Sequence, residues 1–201
     1  MNRRRFIWQK AQAQSGLPEG YTAVDYLKAS GGQWIDTGYR YGASSDIEVK
    51  FEVSAGDTLL GAQDSDDRKH KFAAAVSGNS LWIIRNAAVA FDISSMTKPL
   101  ILKNTGALFK LTDSTGIEKR ESPDATGYIG SQLSLYLFAR HDLTGVTNMS
   151  KSQIYYCRFY KNGELACDMR PCLDTDGVPC MYDLVKKQTL YNQGTGSFTW
   201  G

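Results

Sequence analysis

The sequence predicts an all-β protein, folded as a single antiparallel two-sheet sandwich. Short segments that alternate apolar and polar residues recur about every 8–12 residues, and Gly, Pro, Asn or Asp bounds each of them. The 19 glycines and 11 tyrosines suit a protein with many turns and pleated strands. The 201 residues contain no convincing long helical pattern, and their number suits one domain with a sizeable core.

The first part of the chain reads as a series of strands separated by polar turns. A strand begins at Tyr21, a turn covers residues 29–32, and a second strand covers residues 33–37. Residues 46–53 alternate most regularly, with acidic side chains on one face and apolar ones on the other. Further strands are predicted at residues 58–62, 71–76, 80–85, 89–93, 100–103, 107–112, 116–120, 128–130 and 133–139.

The last quarter of the chain carries the clearest hairpin. Residues 154–160 alternate with a period of two, and Asn162-Gly163 is the dipeptide that most readily forms a type I′ turn. Residues 164–170 are the returning strand, which Pro171 is expected to end because proline cannot donate to a ladder. The remaining predicted strands lie at residues 177–185 and 189–192, which form a second hairpin, and at residues 194–199.

Motifs at the two ends of the chain resemble those of one family. The N-terminal motif is LPEGYTAVDYL at residues 17–27, followed by GQWIDTG at residues 32–38. The C-terminal motif is the Asn-Gly hairpin followed by PC, GV, YDLV, YN and GTGSF between residues 171 and 198. Together they resemble the concanavalin A-like lectin and glucanase family (laminin-G-like) of gut bacteria and their phages. The resemblance covers residues 17–201 and implies a jelly-roll sandwich with carbohydrate as its ligand class.

Residues 1–16 form a short N-terminal arm ahead of this domain. Its basic and apolar side chains are poorly suited to lie free in water, so we expect the arm to dock on a partner subunit. A disordered terminus is the alternative, and nucleic-acid contact is a third interpretation. The residues assigned to partner binding are Arg3, Arg4, Arg5, Phe6, Ile7 and Trp8.

Charge and hydropathy argue against several function classes. With 23 basic and 21 acidic residues, the chain lacks the positive excess that a nucleic-acid-binding protein spreads over its surface. No run of about 18 apolar residues is available to span a membrane. The basic start is followed by too few apolar residues for a signal peptide. We therefore expect a protein made in the cytosol that reaches a surface as an oligomer or as part of a larger assembly.

Four cysteines, Cys157, Cys167, Cys172 and Cys180, fall in neighbouring predicted strands. Their spacing matches no zinc finger or ribbon, and the chain has only two histidines, so no metal site is expected there. The cysteines either stay buried thiols, as in a reducing cytosol, or form up to two disulfides.

Glycoside hydrolysis needs two carboxyl groups in opposite protonation states, about 5–5.5 Å apart in retaining enzymes. Asp46, Glu48 and Glu52 share one strand, but they read as the solvent side of an amphipathic strand. Glucanases of the resembled fold place two glutamates around an aspartate, and this pattern is absent here. No catalytic residue is therefore predicted.

A short acidic loop and two histidines complete the candidates for metal binding or catalysis. Asp64, Asp66 and Asp67 have the spacing of calcium ligands, although the basic residues that follow favour a solvated loop. His70 and His141 lack the partners of a catalytic triad, and no Gly-x-Ser-x-Gly motif occurs. We predict no cofactor, with calcium as the alternative.

Sugar binding by a sandwich needs an aromatic platform and planar polar groups around it. Trp82 has this inventory with the polar residues at the end of its strand, although packing in the core is also open to it. The loop predicted after residues 133–139 supplies a second set, and Trp34 is expected in the core. The residues assigned to ligand binding are Trp82, Arg85, Asn86, Arg140, His141 and Asp142.

These observations and the resemblance lead to one functional expectation and two alternatives. We expect a non-catalytic module for glycan recognition or adhesion in a phage virion, as a tail or capsid accessory protein, or in a bacterial surface assembly. The first alternative is a structural virion decoration protein without a sugar ligand. The second is a polysaccharide hydrolase.

Overall fold

The computed structural model describes residues 16–53, 56 and 58–201. The predicted arm and its six partner-binding residues thus lie outside the described residues, except for Gly16. The described part forms nineteen strands and one 3₁₀ turn, Arg68–His70. The strands are β1 (Thr22–Ala23), β2 (Leu27–Lys28), β3 (Ile35–Asp36), β4 (Ser45–Glu52), β5 (Thr58–Gln63), β6 (Lys71–Ser77), β7 (Ser80–Arg85), β8 (Ala87–Asp92), β9 (Leu100–Thr105), β10 (Leu108–Thr112), β11 (Glu118–Glu121), β12 (Tyr136–Leu137), β13 (Arg140–Asp142), β14 (Gly145–Thr147), β15 (Gln153–Lys161), β16 (Glu164–Leu173), β17 (Pro179–Asp183), β18 (Gln188–Leu190) and β19 (Thr199–Trp200).

The strands form two sheets that do not close into a barrel. The large sheet has the order β11-β10-β9-β4-β15-β16-β17-β18, with β1 beside β16, β2 beside β15, and β19 beside β2. The small sheet has the order β14-β13-β5-β6-β7-β8, and β12 pairs with both β3 and β5. Within the described residues all strand pairs are antiparallel except β5 with β13. The predicted all-β sandwich is confirmed.

The hydrophobic core lies between the two sheets. Along β4, Ile47, Val49 and Phe51 point inward and are fully buried, while the residues between them are half-buried on the other face. Burial of each such side chain contributes about 1.5–3 kcal/mol. Aromatic rings pack between the two sheets. The ring centroids of Phe72 on β6 and Phe109 on β10, for example, are 6.3 Å apart. Alternation at period two thus produces one shared apolar layer.

The opening and closing segments meet in the large sheet. Leu27 on β2 faces Ile154 on β15 and Trp200 on β19. The backbone N–H of Asp25 donates to the carbonyl of Gly201 at 2.5 Å. The predicted proximity of the N- and C-terminal segments is confirmed.

Both predicted C-terminal hairpins are present, but the strand boundary at Pro171 is wrong. β16 continues through Pro171 to Leu173. Pro171 lies where β16 passes from its partner β15 to its partner β1, and its carbonyl accepts from the N–H of Val24 at 3.3 Å. A residue at this gap has no ladder bond to donate, so the missing N–H of proline costs nothing.

Four other local predictions also need correction. Residues 140–142, predicted as a loop, form β13, whose polar sequence gave no apolar alternation to read. Residues 128–130 contribute only a single bridge, Gly42 with Gly130, and the final strand is confined to β19. Trp34 is half-buried and, within the described residues, lies outside the core cluster. Its neighbour Ile35 takes the inward position instead.

In the described part of the chain, no helix has the length and apolar character needed to cross a bilayer.

Candidate functional site

The small sheet carries an exposed tryptophan on its outer face, the face turned away from the core. Along β7, Leu81 and Ile83 are fully buried, whereas Trp82 between them is 40% exposed. The strand register sets Trp82 opposite Ala75 on β6 and Ala90 on β8. Two alanines are too short to cover an indole ring, so Trp82 presents an accessible aromatic platform.

A polar row borders Trp82 on the same face. Ser80 lies two residues earlier on β7 and faces Asp92 on β8. Hydrogen bonds from the backbone and side chain of Ser94 hold the pKa of Asp92 below its ordinary value, so the carboxylate is ionised. Lys119 extends from the large sheet, and its Nζ lies 3.7 Å from Oδ2 of Asp92. Hydroxyl, carboxylate and ammonium groups are thus close to the indole.

Apolar residues form the row on the other side of the indole. Ile84, Ala73 and Gly61 face one another across β7, β6 and β5, and Arg140 on β13 continues the row. A Cβ added to Gly61 would lie 3.1 Å from the Cβ of Ala73 and 3.0 Å from a backbone carbonyl oxygen. This tight spacing excludes a larger side chain at position 61 unless its neighbours move. No side chain therefore projects from β5 at this point of the row.

Arg140 and Asp142 form an ion pair at the far end of that row. Nη2 of Arg140 lies 2.8 Å from Oδ2 of Asp142. Burial alone would raise the pKa of Asp142, but the hydrogen bond and charge of Arg140 outweigh it and lower the pKa. Burial and then the charge of Arg140 lower the pKa of Lys71 on β6. Three strand spacings of about 4.8 Å place β13 roughly 15 Å from β7.

His141 belongs to a stack of three rings. Its ring lies 3.9 Å from that of Tyr136, and Tyr136 stacks on Trp34 at 4.2 Å. Nδ1 of His141 lies 3.0 Å from the carbonyl oxygen of Ser134, which can only accept, so Nδ1 carries the proton of this bond. The stack fixes β13 against β12 and β3.

A depression of about 350 Å³ lies beside this stack. Asp36, which faces Tyr136 in the sheet, lines it together with side chains from β18 and the segment after it. These include Gln188, Thr189 and Gln193, so the walls offer amide, hydroxyl and carboxylate groups. Such groups suit a polyhydroxylated ligand.

The structure separates Arg85 and Asn86 from Trp82. Arg85 is 3% exposed and points to the inner side, where its guanidinium donates to the carbonyl oxygens of Ala43, at 2.7 Å, and Gly106. Asn86 has a φ of 64°, and its Nδ2 donates to the carbonyl of Thr126 at 2.9 Å. Both side chains join segments of the chain to one another.

The acidic side chains of β4 are held by neighbours on the large sheet. Glu48 lies 3.0 Å from Nζ of Lys103 and 3.1 Å from Nη1 of Arg158. Burial alone would raise the pKa of Glu48, but the hydrogen bonds from Lys103 and Tyr156, together with the charges of Lys103 and Arg158, lower it. A general acid needs the opposite shift. Glu48 is therefore an ionised partner of basic groups.

Asp46 and Glu52, the other two acids of β4, accept hydrogen bonds. Oδ1 of Asp46 accepts from Nδ2 of Asn104 at 2.7 Å and from the backbone of Gly106. Oε1 of Glu52 accepts from the hydroxyl of Tyr155 at 2.5 Å.

The acidic loop after β5 makes local contacts. Asp64 accepts from the backbone N–H of Gln132 and lies 3.5 Å from Nδ1 of His70. Asp67 caps the 3₁₀ turn by accepting from the N–H of Lys69 at 3.0 Å. Among residues 16–53, 56 and 58–201, no three His, Cys, Asp or Glu side chains are close enough to hold a metal ion together.

Comparison with protein-family models gives no match for this chain, and comparison with curated proteins gives none either.

The polar row of Ser80 and Asp92 and the partners of His141 were not predicted from the sequence. The alternation along residues 80–85 could have indicated the polar row, because Ser80 and Trp82 are two residues apart and share a face. It also indicates that Arg85, three residues after Trp82, lies on the other face. The Trp34–Tyr136 contact joins residues about 100 positions apart, which local pattern does not reveal.

Proposed function

We propose that this protein recognises glycans without cleaving them, through the outer face of the small sheet. The observation that carries the proposal is the exposed Trp82, flanked by alanines on β6 and β8. An indole ring stacks on the apolar face of a sugar ring, and the C–H groups of the sugar meet its π-face. Exposure of so large an apolar side chain to water is unfavourable in free energy. A ligand that covers the ring removes this unfavourable contact.

Polar groups on both sides of Trp82 supply the hydrogen bonds that sugar hydroxyls need. Ser80 and Asp92 lie on one side, and the Arg140–Asp142 ion pair lies on the other. The distance of roughly 15 Å between β7 and β13 suits an extended oligosaccharide that crosses the strands. A monosaccharide would reach only one of the two polar groups.

The absence of cleavage is part of the proposal and is supported by the state of Glu48. Its partners Lys103 and Arg158 stabilise the ionised form, and it lies on the large sheet rather than beside Trp82. The setting in a phage virion or bacterial surface assembly, with the arm as the anchor, rests on the motif resemblance alone.

The test is a glycan array of bacterial capsular and cell-wall oligosaccharides, followed by calorimetry with each oligosaccharide that binds. We expect Trp82→Ala to weaken binding about tenfold or more, which corresponds to about 1.4 kcal/mol. The matched control is Trp200→Ala, because Trp200 is 48% exposed but belongs to the large sheet. This variant is expected to bind as the wild type does.

Three results would overturn the proposal. Failure of the wild type to bind any oligosaccharide at millimolar concentration would favour the structural decoration protein. Release of reducing ends from a bound polysaccharide, lost in a carboxylate variant, would favour the hydrolase. Equal loss of affinity in Trp82→Ala and Trp200→Ala would place the binding surface elsewhere.

A further inference from the structure

We propose that Cys172 and Cys180 are the site of an intrachain disulfide, formed when the protein meets a small-molecule disulfide such as oxidised glutathione. All four cysteines are free thiols in the structure. Their placement nevertheless singles out one pair. This proposal does not depend on glycan binding.

The register of β16 and β17 brings two of the thiols together. Cys172 and Cys180 face each other directly across the antiparallel ladder, and their Sγ atoms lie 3.5 Å apart. Facing residues in an antiparallel pair have Cα atoms about 4.5–5.5 Å apart. Disulfides span Cα distances of about 4.4–6.8 Å. The pair can therefore be bridged by a small change in side-chain torsion, with the strands in place.

The other two cysteines provide a contrast within the same sheet. Cys157 on β15 faces Met169 on β16, whereas Cys167 faces Phe159. Cys157 and Cys167 are thus diagonal neighbours, for which the Cα separation is about 7–8 Å. That distance lies beyond the reach of a disulfide without backbone movement. Of the four thiols, only Cys172 and Cys180 face each other.

A small hydrophobic cluster covers the pair on the outer side of the large sheet. Leu17, Tyr21 and Leu184 pack against the two cysteines, both of which are fully buried. The hydrogen bond with Cys180, and then burial, raise the pKa of the Cys172 thiol. Thiol–disulfide exchange requires a thiolate, so reaction in the native protein must wait for local opening of this cover.

The reaction proceeds in two exchange steps. The thiolate of one cysteine attacks a sulfur of the small-molecule disulfide and releases one small thiol. The thiolate of the second cysteine attacks the mixed disulfide and releases the other small thiol. The two protein thiols lose two electrons and two protons in total, and the external disulfide is reduced to two thiols. The product links two positions that the sheet already holds together.

The experiment counts free thiols by mass spectrometry. Purified full-length protein is incubated in reduced or oxidised glutathione buffer, then unfolded in an alkylating denaturant that traps every remaining thiol. We expect four alkyl adducts after reduction and two after oxidation, since two of the four cysteines are consumed. Proteolytic fragments of the oxidised sample should contain Cys172 linked to Cys180. Refolding in the same buffers provides a second sample in which the cover is absent at the start.

Variants separate the facing pair from the diagonal one. Cys172→Ala and Cys180→Ala should each abolish the intrachain link, whereas the double variant Cys157→Ala, Cys167→Ala should keep it. Four adducts in the oxidised wild type, both from native protein and after refolding, would overturn the proposal. So would a link that includes Cys157 or Cys167, or a glutathione adduct that persists on Cys172 or Cys180.

Discussion

The outer faces of the two sheets contrast in how their polar and aromatic side chains are satisfied. On the large sheet, Asp168 lies 3.3 Å from Arg158 and 2.8 Å from Arg170. The ring of Tyr156 lies 4.9 Å and 5.2 Å from these two guanidinium groups, and its hydroxyl donates to Glu48 at 3.0 Å. On the small sheet, the largest ring of the face has alanines as its cross-strand neighbours.

This difference indicates which face is available to a ligand. On the large sheet, Glu48, Asp168 and their basic partners form one connected network, so a ligand would have to break several half-buried ion pairs at once, whereas Arg140 and Asp142 on the small sheet form a single ion pair. An exposed indole loses only its contact with water. The large-sheet face is therefore expected to serve stability, and the small-sheet face to serve recognition. The following predictions test this division, from the largest effect to the smallest.

The largest effect is expected from Asp168→Ala. The change leaves Arg158 and Arg170 without the carboxylate they share, and the side chain of Asp168 is only 11% exposed. The nearly buried carboxylate pairs with two half-buried guanidinium groups, so we expect its removal to lower the free energy of unfolding by about 3 kcal/mol, the lower end of the cost of breaking a buried pair. Urea unfolding measures this. Asp92→Ala on the small-sheet face is the control and should change stability by less than about 0.5 kcal/mol.

A smaller effect on stability, with none on recognition, is expected from Arg85→Ala. The buried guanidinium holds the carbonyls of Ala43 and Gly106, so its removal should cost about 2 kcal/mol. Arg140→Ala is the matched variant, because Arg140 loses only one ion pair, with Asp142, at a cost of about 1 kcal/mol. Calorimetry should show the reverse order for oligosaccharide affinity. Weaker binding in Arg85→Ala than in Arg140→Ala would contradict the division of roles.

The smallest effect concerns the pH dependence of stability. The pKa of Glu48 is lower in the folded protein than its ordinary value of 4.5. The ionised group thus stabilises the fold above pH about 4.5, and this contribution is lost as the pH falls through the lowered folded pKa. Thermal unfolding between pH 6 and pH 3 should show a smaller loss of stability for Glu48→Gln than for wild type. Identical pH profiles would show that Lys103 and Arg158 do not act through this carboxylate.

Period-two patterns predicted the strands whose two faces differ most. β4 and β6 each place apolar residues inward and polar or small ones outward, so the sequence predicts both the strand and the face that is buried. β13 has only polar residues, and its parallel pairing with β5 depends on residues far away in sequence. The strand end predicted at Pro171 was wrong because a proline is tolerated within a strand where the neighbouring strand ends, and the sequence does not show where that is.

The candidate site could be predicted only in part, for a related reason. Trp82 was found from its residue type, and its exposure follows from alternation with Leu81 and Ile83. The position of Arg140 on the same face required the order of β13, β5, β6 and β7 in the sheet. Sheet order is a property of the whole chain, since it depends on contacts at long sequence separation.

The pairing of β2 with both β15 and β19 has a consequence for synthesis on the ribosome. Leu27 leaves the exit tunnel long before its partner Trp200, because about 170 residues separate the two along the chain. The meander β5-β6-β7-β8 can form as soon as its strands are synthesised, because each strand pairs with the next one along the chain. β9 and β10 can cover part of its apolar side, and the rest stays exposed until β15 and β16 are synthesised, which makes the incomplete chain prone to aggregation.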